Sequence, residues 1–378
     1  MKVSIIVSNS LRKDPRVIKQ IKLAIANGHE VQFVGFYDEN FSKEFLDNLG
    51  CRYDIVKLSD EYIGKLKTVT KKIKRVMLKQ KLACKYICDF NPDIIHANDY
   101  DTLDIAYCAS RKTGAGVVYD SHEVFAENIG IANKKLLKTL IIAREGYLVK
   151  RIGKMISVSN AAADYFKEKY NIERPTVITN CPMKNTLPLK PKATDAFEVV
   201  YQGRMVASRG YEEFTRSAKY LDDGIRLVLR GYGPLENKLR EIVETEGLSD
   251  KVVFMPPVEV AELVPEASAS HMGVVLTKPV NLNFKLTVSN KVFEYISAGI
   301  PVILSDVPEH RYLNDKYGAG IILEDVTPEK IAEAINKVYR SSESYASLCE
   351  NVKIMEKEMT WENESEKLVE IYNEVARR

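Results

Sequence analysis

Apolar runs and amphipathic stretches alternate along the chain. Met1–Val7 reads as an opening strand and Pro15–Asn27 as a helix with Val17, Ile18, Ile21, Leu23, Ala24 and Ile25 on its apolar side; after Gly28, Val31–Phe36 reads as the next strand. The beat recurs at Asp93–His96, at Thr102–Thr113, at Gly116–Asp120 and again around Met155–Ser159. Strand, helix, strand alternation predicts a parallel sheet with helices on both faces. Between Cys181 and Ala196 the pattern lapses into Pro182, Pro188, Pro191 and polar residues, the composition of a linker. A second series then starts, with strands expected at Phe197–Tyr201, Arg226–Arg230, Lys251–Phe254, Met272–Leu276 and Pro301–Leu304. A last helix carrying Trp361, Leu368, Ile371 and Tyr372 has no strand after it. The expected organisation is therefore a domain over 1–185, a linker over 186–196, a second domain over 197–358 and a terminal helix over 359–378. Both domains are read as α/β, Rossmann-like and doubly wound, facing a central cleft, and ligands of such sheets sit at the carboxyl ends of the strands.

Composition adds bounds. A chain of 378 residues exceeds what one core usually holds, and 45% hydrophobic with 28% charged residues is ordinary for a globular protein. No apolar run approaches the ~20 residues of a membrane span, and Met1–Val7 is too short for a secretory signal, so a cytoplasmic protein is expected. The six cysteines, at 51, 84, 88, 108, 181 and 349, form no disulfide framework, and Cys84 with Cys88 lacks a second ligand pair; they read as reduced, with no metal site expected. Charge is uneven: residues 1–180 carry 30 Lys and Arg against 21 Asp and Glu, residues 181–378 carry 25 against 31.

The stretch Ser289–Asp306 concentrates the chemistry. Val292, Phe293 and Ile296 fall at helical spacing, Gly299 stops the helix, and Pro301 opens an apolar strand. Glu294 thus sits in a short helix feeding a buried strand, either as a ligand at a cleft mouth or as an acid favoured by the helix dipole. After the first strand of the second series comes Gln202-Gly203-Arg204-Met205-Val206-Ala207-Ser208-Arg209-Gly210, and after the next Arg230-Gly231-Tyr232-Gly233-Pro234. Glycines for close backbone approach, two guanidiniums and a following helix suit a diphosphate, though each loop taken alone is also a common strand-to-helix turn. Neither loop is a dinucleotide fingerprint or a P-loop. In the first half, His122 follows Tyr119-Asp120-Ser121 at one strand's carboxyl end and His96 occupies the equivalent place one unit earlier, as cleft residues or as packed core histidines. Asp14-Pro15-Arg16 follows the first strand; Asp14 is a cleft candidate or a helix N-cap. Residues 63–88 hold nine Lys or Arg and no acid, with Leu66, Val69, Ile73, Val76 and Met77 at helical spacing. That basic amphipathic face suits an anionic membrane surface or is a solvated charged helix. Residues 132–154 repeat the idea more weakly. No aromatic platform accompanies the charges, so nucleic acid is not expected.

These residues resemble retaining glycosyltransferases of family four, most strongly from Val199 to Glu324. The resemblance implies the GT-B fold, with the nucleotide sugar held by the second domain, the acceptor by the first, and the final helix crossing back near Met359-Thr360-Trp361-Glu362. Arg204 matches the family's Gly-Arg position and Arg209 its Lys-Gly position, the pair that neutralises the donor diphosphate. Glu294 matches the second carboxylate of the Glu, seven residues, Glu signature, which bonds the ribose. Leu286 stands where the first would be, so Ser289, Asn290 and Lys291 are expected to replace its donor contacts. His122 matches the histidine at the donor sugar, and Asp14 and Arg16, with His96 beside them, are placed on the acceptor side.

The resemblance implies transfer of a hexose-type sugar from a UDP- or GDP-linked donor to a saccharide or lipid-linked acceptor, with no cofactor and no metal, in polysaccharide or glycolipid synthesis at the inner face of a membrane. The alternatives are a nucleotide-sugar 2-epimerase on the same fold and a non-catalytic nucleotide-sugar-binding subunit, for which Leu286 speaks.

Overall fold

A computed structural model describes residues 1–58, 69–184 and 187–376. The chain divides into two compact units, one of Met1–Ile178 together with the segment from Ser365 onward, the other Thr179–Glu364. Much of the stretch read as a linker is tied into the second unit: Lys190 donates its amide to Ser268 Oγ at 2.8 Å and Ala193 donates to the Ala269 carbonyl at 2.9 Å. The final helix, Trp361–Ala376, begins in the second unit, where the Trp361 amide donates to the Pro182 carbonyl at 2.9 Å. From Ser365 it belongs to the first, where Tyr372 is buried.

The first unit is a seven-stranded parallel sheet. Its strands are β1 (Lys2–Ile6), β2 (Glu30–Phe36), β3 (Arg52–Val56), β4 (Ile94–Asn98), β5 (Gly116–Ser121), β6 (Lys154–Ser157) and β7 (Thr176–Val177), in the order β3-β2-β1-β4-β5-β6-β7. The second unit is a six-stranded parallel sheet of β8 (Phe197–Arg204), β9 (Ile225–Tyr232), β10 (Val252–Met255), β11 (Met272–Val275), β12 (Val302–Ser305) and β13 (Gly320–Leu323), in the order β10-β9-β8-β11-β12-β13. β3, β7 and β13 are not among the strands that the apolar pattern predicts.

Helices cover both faces of the second sheet, and alternation along its strands shows it. Val199, Tyr201, Leu227, Leu229 and Val274 enter one hydrophobic cluster; their neighbours Val200, Val228 and Val275 enter the other. Both sheets reverse their strand order once, between β1 and β4 and between β8 and β11. At such a reversal the loops leaving adjacent strands diverge to opposite faces and open a crevice at the carboxyl ends. Among the described residues no helix is long and apolar enough to cross a membrane. Of the basic stretch 63–88, residues 63–68 lie outside the described residues; the rest falls in the helix Val69–Phe90.

Candidate active site

In the second unit the crevice lies between the loops that follow β8 and β11. Arg209, in a short 3-10 turn after β8, donates from Nη1 to Thr277 Oγ1 at 3.2 Å, just past β11, and lies over the Phe284 ring with 5.0 Å to its centroid. Its carbonyl accepts the Tyr201 hydroxyl at 2.5 Å, so the buried β8 fixes the turn from below. Arg204 ends β8 with its side chain exposed.

Lys291 completes the group. It sits in the first turn of the helix Asn290–Ser297, and a Cβ built on Gly203 would meet its Cε at 2.5 Å and its Nζ at 2.9 Å. Only glycine therefore leaves room for the ammonium over the end of β8. Burial, and then the Arg209 guanidinium, press the Lys291 amine down to about 8, with Glu294 acting in the opposite sense. Glu294 accepts from Gln202 Nε2 at 2.9 Å, and Gln202 is held in turn by its own amide donating to the Tyr295 hydroxyl at 2.9 Å. Ser289 caps this helix with its backbone, its side chain making no cap bond, and Asn290 is exposed. Leu286 is buried at the end of the short helix Leu282–Leu286.

Gly231 and Gly233 have a steric reason in the neighbouring strand. Gly231 pairs with Gly203, and a Cβ on it would lie 2.1 Å from the Gly203 carbonyl oxygen; one on Gly233 would lie 2.4 Å from that of Met205. Both also hold positive φ, +136° and +154°. The two loops thus pack backbone on backbone, which sets where Arg204 leaves the sheet.

The first unit gathers a different set at the ends of β4 and β5. Asp120, fully buried, accepts both Nε and Nη2 of Arg16 at 2.8 Å and Gln20 Nε2 at 2.6 Å. Burial alone would raise its carboxyl, but the Arg16 guanidinium and then His122 hold it well below the usual range. His122 lies between two acids, its Nδ1 3.2 Å from Asp99 Oδ2 and its Nε2 3.5 Å from Asp120 Oδ2, with Asn98 Oδ1 at 3.1 Å. Desolvation opposes its charge, yet Asp99 and Asp120 carry it up to about 10. At neutral pH it is an imidazolium with both N–H groups engaged. Asp99 is held against it at φ +62°, ψ 163°, a strained conformation for a residue other than glycine, and also accepts the His122 amide at 3.1 Å.

His96 is buried, with Nδ1 2.7 Å from the Tyr372 hydroxyl and Nε2 3.8 Å from Asp120; burial lowers its basicity, so it is neutral. A Tyr372 hydroxyl donating to Nδ1 leaves Nε2–H facing the Asp120 carboxylate. Asp14 is an N-cap: its side chain accepts the Val17 amide at 3.3 Å and Asn9 Nδ2 at 3.0 Å. Arg16, Asp120 and the two histidines therefore converge, and Asp14 serves the helix beside them.

Residue-type reasoning singles out neither Asp120, Gln20, Asp99 nor Thr277. Asp120 had the clearest signal, a charge at the end of an otherwise apolar strand, which demands a partner. His310 was equally hidden. It is fully buried, its Nδ1 2.9 Å from the Ser305 carbonyl, and burial with the nearby Arg209 presses it down to about 4. Among the described residues no group of three or more His, Cys, Asp or Glu is placed to hold a metal ion.

Residues 17–181 match the family profile described as Glycosyltransferase Family 4, and residues 186–355 the one described as Glycosyl transferases group 1. A search of curated protein sequences finds no match. Solved structures similar to this chain include Anabaena HepE in complex with UDP (15% identity, TM-score 0.73, 99% of this chain and 100% of that one). The sucrose-phosphate synthase of Thermosynechococcus elongatus is similar at 17% identity and TM-score 0.75, over 99% and 98% of the two chains. A putative UDP-N-acetylglucosamine 2-epimerase from Listeria monocytogenes aligns at 15% identity and TM-score 0.61, over 97% and 94%. At such identities the structural likeness carries the fold, and the two profiles carry the family: the chain belongs to the group 1, family 4 glycosyltransferases and has their GT-B architecture.

Proposed function

We propose that this glycosyltransferase moves a hexosyl group from a UDP- or GDP-linked donor to a hydroxyl of a saccharide or lipid-linked acceptor, with retention of anomeric configuration and without a metal. The observation that carries the reading is the unbalanced charge at the crevice of the second unit. Arg204, Arg209 and Lys291 border it, and the Glu294 carboxylate near Lys291 is engaged by the neutral Gln202. A diphosphate supplies the missing negative charge, and the three cations stabilise it as it grows on the leaving group. Glu294 takes the ribose hydroxyls, and Ser289 and Asn290 contact the sugar side of the donor. In the proposed step the bond from the anomeric carbon to the diphosphate oxygen breaks, and the acceptor oxygen bonds to the same face of that carbon. The acceptor proton passes to an oxygen of the departing phosphate. His122, already a cation, orients the sugar and is not the base. The likeness to HepE, whose structure holds UDP, supports a uridine-linked donor for this chain. The setting is polysaccharide or glycolipid synthesis at the inner face of a membrane, approached through the basic stretch 63–88.

The test is thermal stabilisation by UDP, GDP, ADP, CMP and NAD, since a ligand that binds only the folded state raises the midpoint. A shift with one nucleoside diphosphate that vanishes in Arg204→Ala supports the reading and names the base. A shift with NAD alone, or normal turnover by Arg204→Ala, would overturn it. Release of UDP and free sugar from a donor incubated without acceptor would point to 2-epimerase chemistry instead.

A further inference from the structure

We infer that the helix Lys135–Val149 of the first unit is an insertion face for anionic lipid, its leucines entering the headgroup boundary and its cations meeting the phosphates. The inference deepens the membrane part of the proposed function and rests on it, but it places the contact on a different helix.

The helix is apolar on two sides. Ile141, Leu148 and Val149 face the core. Leu136, Leu140, Ala143 and Tyr147 recur at i, i+4, i+7 and i+11, a single stripe on the opposite side. That stripe is open to water: Leu136 is 77% exposed, Leu140 59% and Tyr147 43%, with Leu137 at its margin 42%. A surface helix ordinarily turns charged or polar residues to solvent, and a contiguous exposed apolar stripe marks an interaction surface.

Charge decides the kind of partner. From Lys134 to Arg151 the basic residues are Lys134, Lys135, Lys138, Arg144, Lys150 and Arg151. The one acid in that span, Glu145, is buried on the inner side, accepting the Tyr119 and Tyr170 hydroxyls at 2.6 Å. From neighbouring elements, Glu127 pairs with Lys138 and Asp104 with Arg144, while Arg151 lies over the Tyr147 ring at 3.7 Å. Lys134, Lys135 and Lys150 are exposed around the stripe. Leucines fringed by lysines fit the boundary between acyl chains and anionic headgroups. The basic helix Val69–Phe90 and this one both pack against the helix Tyr100–Thr113, and Val76 and Met77 of the former are 54% and 61% exposed. It is a second contact on the same unit.

The experiment is co-sedimentation of the full chain with phosphatidylcholine vesicles, with and without phosphatidylglycerol. Wild type should partition onto the phosphatidylglycerol vesicles, less so at high salt. Leu136→Ser with Leu140→Ser removes apolar surface without adding charge, at sites too exposed to affect folding. It should lower partitioning about tenfold and leave the thermal shift with UDP unchanged. Partitioning of that variant at the wild-type level would overturn the inference. So would failure of wild type to bind any vesicle, or a wild-type dimer that the leucine variant turns to monomer. Failure of the transferase reading would show separately, as no shift with any nucleotide.

Discussion

Each unit gathers charged groups at the carboxyl ends of its strands, and the two sets are balanced differently. In the first, Arg16 and His122 are cations and Asp99 and Asp120 are anions, each within 3.5 Å of an opposite charge. The set is complete without a ligand. In the second, Lys291 lies near the Arg209 guanidinium and the Glu294 carboxylate, which bonds to an amide, and Arg204 ends β8 with its side chain exposed. A closed network in a low-dielectric setting holds geometry; an open one leaves its charge for something that arrives. Apart from His122, which is proposed to orient the sugar, the first set should therefore answer to mutation as stability and the second as binding and rate.

Breaking the closed network should produce the largest effect. Asp120→Asn leaves the buried Arg16 guanidinium without its counter-charge, and full-chain urea unfolding should show a loss of about 3–5 kcal/mol. Arg204→Ala should do the reverse. It lowers kcat/KM by roughly 10²–10³-fold and abolishes stabilisation by the nucleoside diphosphate, while the urea midpoint moves by less than about 0.5 kcal/mol. An Arg204 variant that unfolds easily, or an Asp120 variant of full stability and no activity, would dissolve the distinction.

A smaller change tests how the open set is aimed. Gly231→Ala puts a methyl 2.1 Å from the Gly203 carbonyl oxygen at φ +136°, so the end of β8 that carries Arg204 must move. A loss of about 1–3 kcal/mol in stability should come with weakened UDP affinity in isothermal titration. Gly247→Ala, at φ +66° with nothing within 4 Å of its added carbon, should cost about 1 kcal/mol and leave affinity alone.

The interior strands were legible because burial on both faces makes them plain apolar runs, as in Ile94–Asn98 or Met272–Val275. β3, β7 and β13 were not, and each lies at a sheet edge. An edge strand has one neighbour and a half-open face, so Arg52-Tyr53-Asp54 can be polar and β7 only two residues long. The site divides in the same way. Arg204 and Arg209 stand out locally, by residue type beside glycine, and Glu294 as a carboxylate flanked by apolar residues in a short helix. Asp120 and Arg16 meet across 104 residues, and no local pattern carries that pairing. The glycines of the second loop were read for close approach of a ligand, whereas the geometry gives a nearer reason in β8. Leu286 stands out against the family signature, and its burial is compatible with a packing role.

The finest test uses pH, because the two sets shift in opposite directions. His122 is raised from 6.5 to about 10, so its contribution to stability is complete below pH 6.5 and is lost as pH climbs through about 10. Lys291 is lowered from 10.5 to about 8, so burying it as a cation costs stability at low pH, and that cost fades as pH rises through 8 toward 10.5. Binding reads the second group alone. An arriving diphosphate is held better by the ammonium, so between pH 7 and 9 UDP affinity should weaken by several-fold, as the amine lowered to about 8 loses its proton, and level off once it is neutral. Lys291→Arg keeps a cation throughout and should give a flat profile. Lys291→Met should be flat as well, at the weaker level that wild type reaches when deprotonated. A flat wild-type profile would mean that the amine faces Gly203 without touching the anion, leaving Arg204 and Arg209 to hold the diphosphate between them.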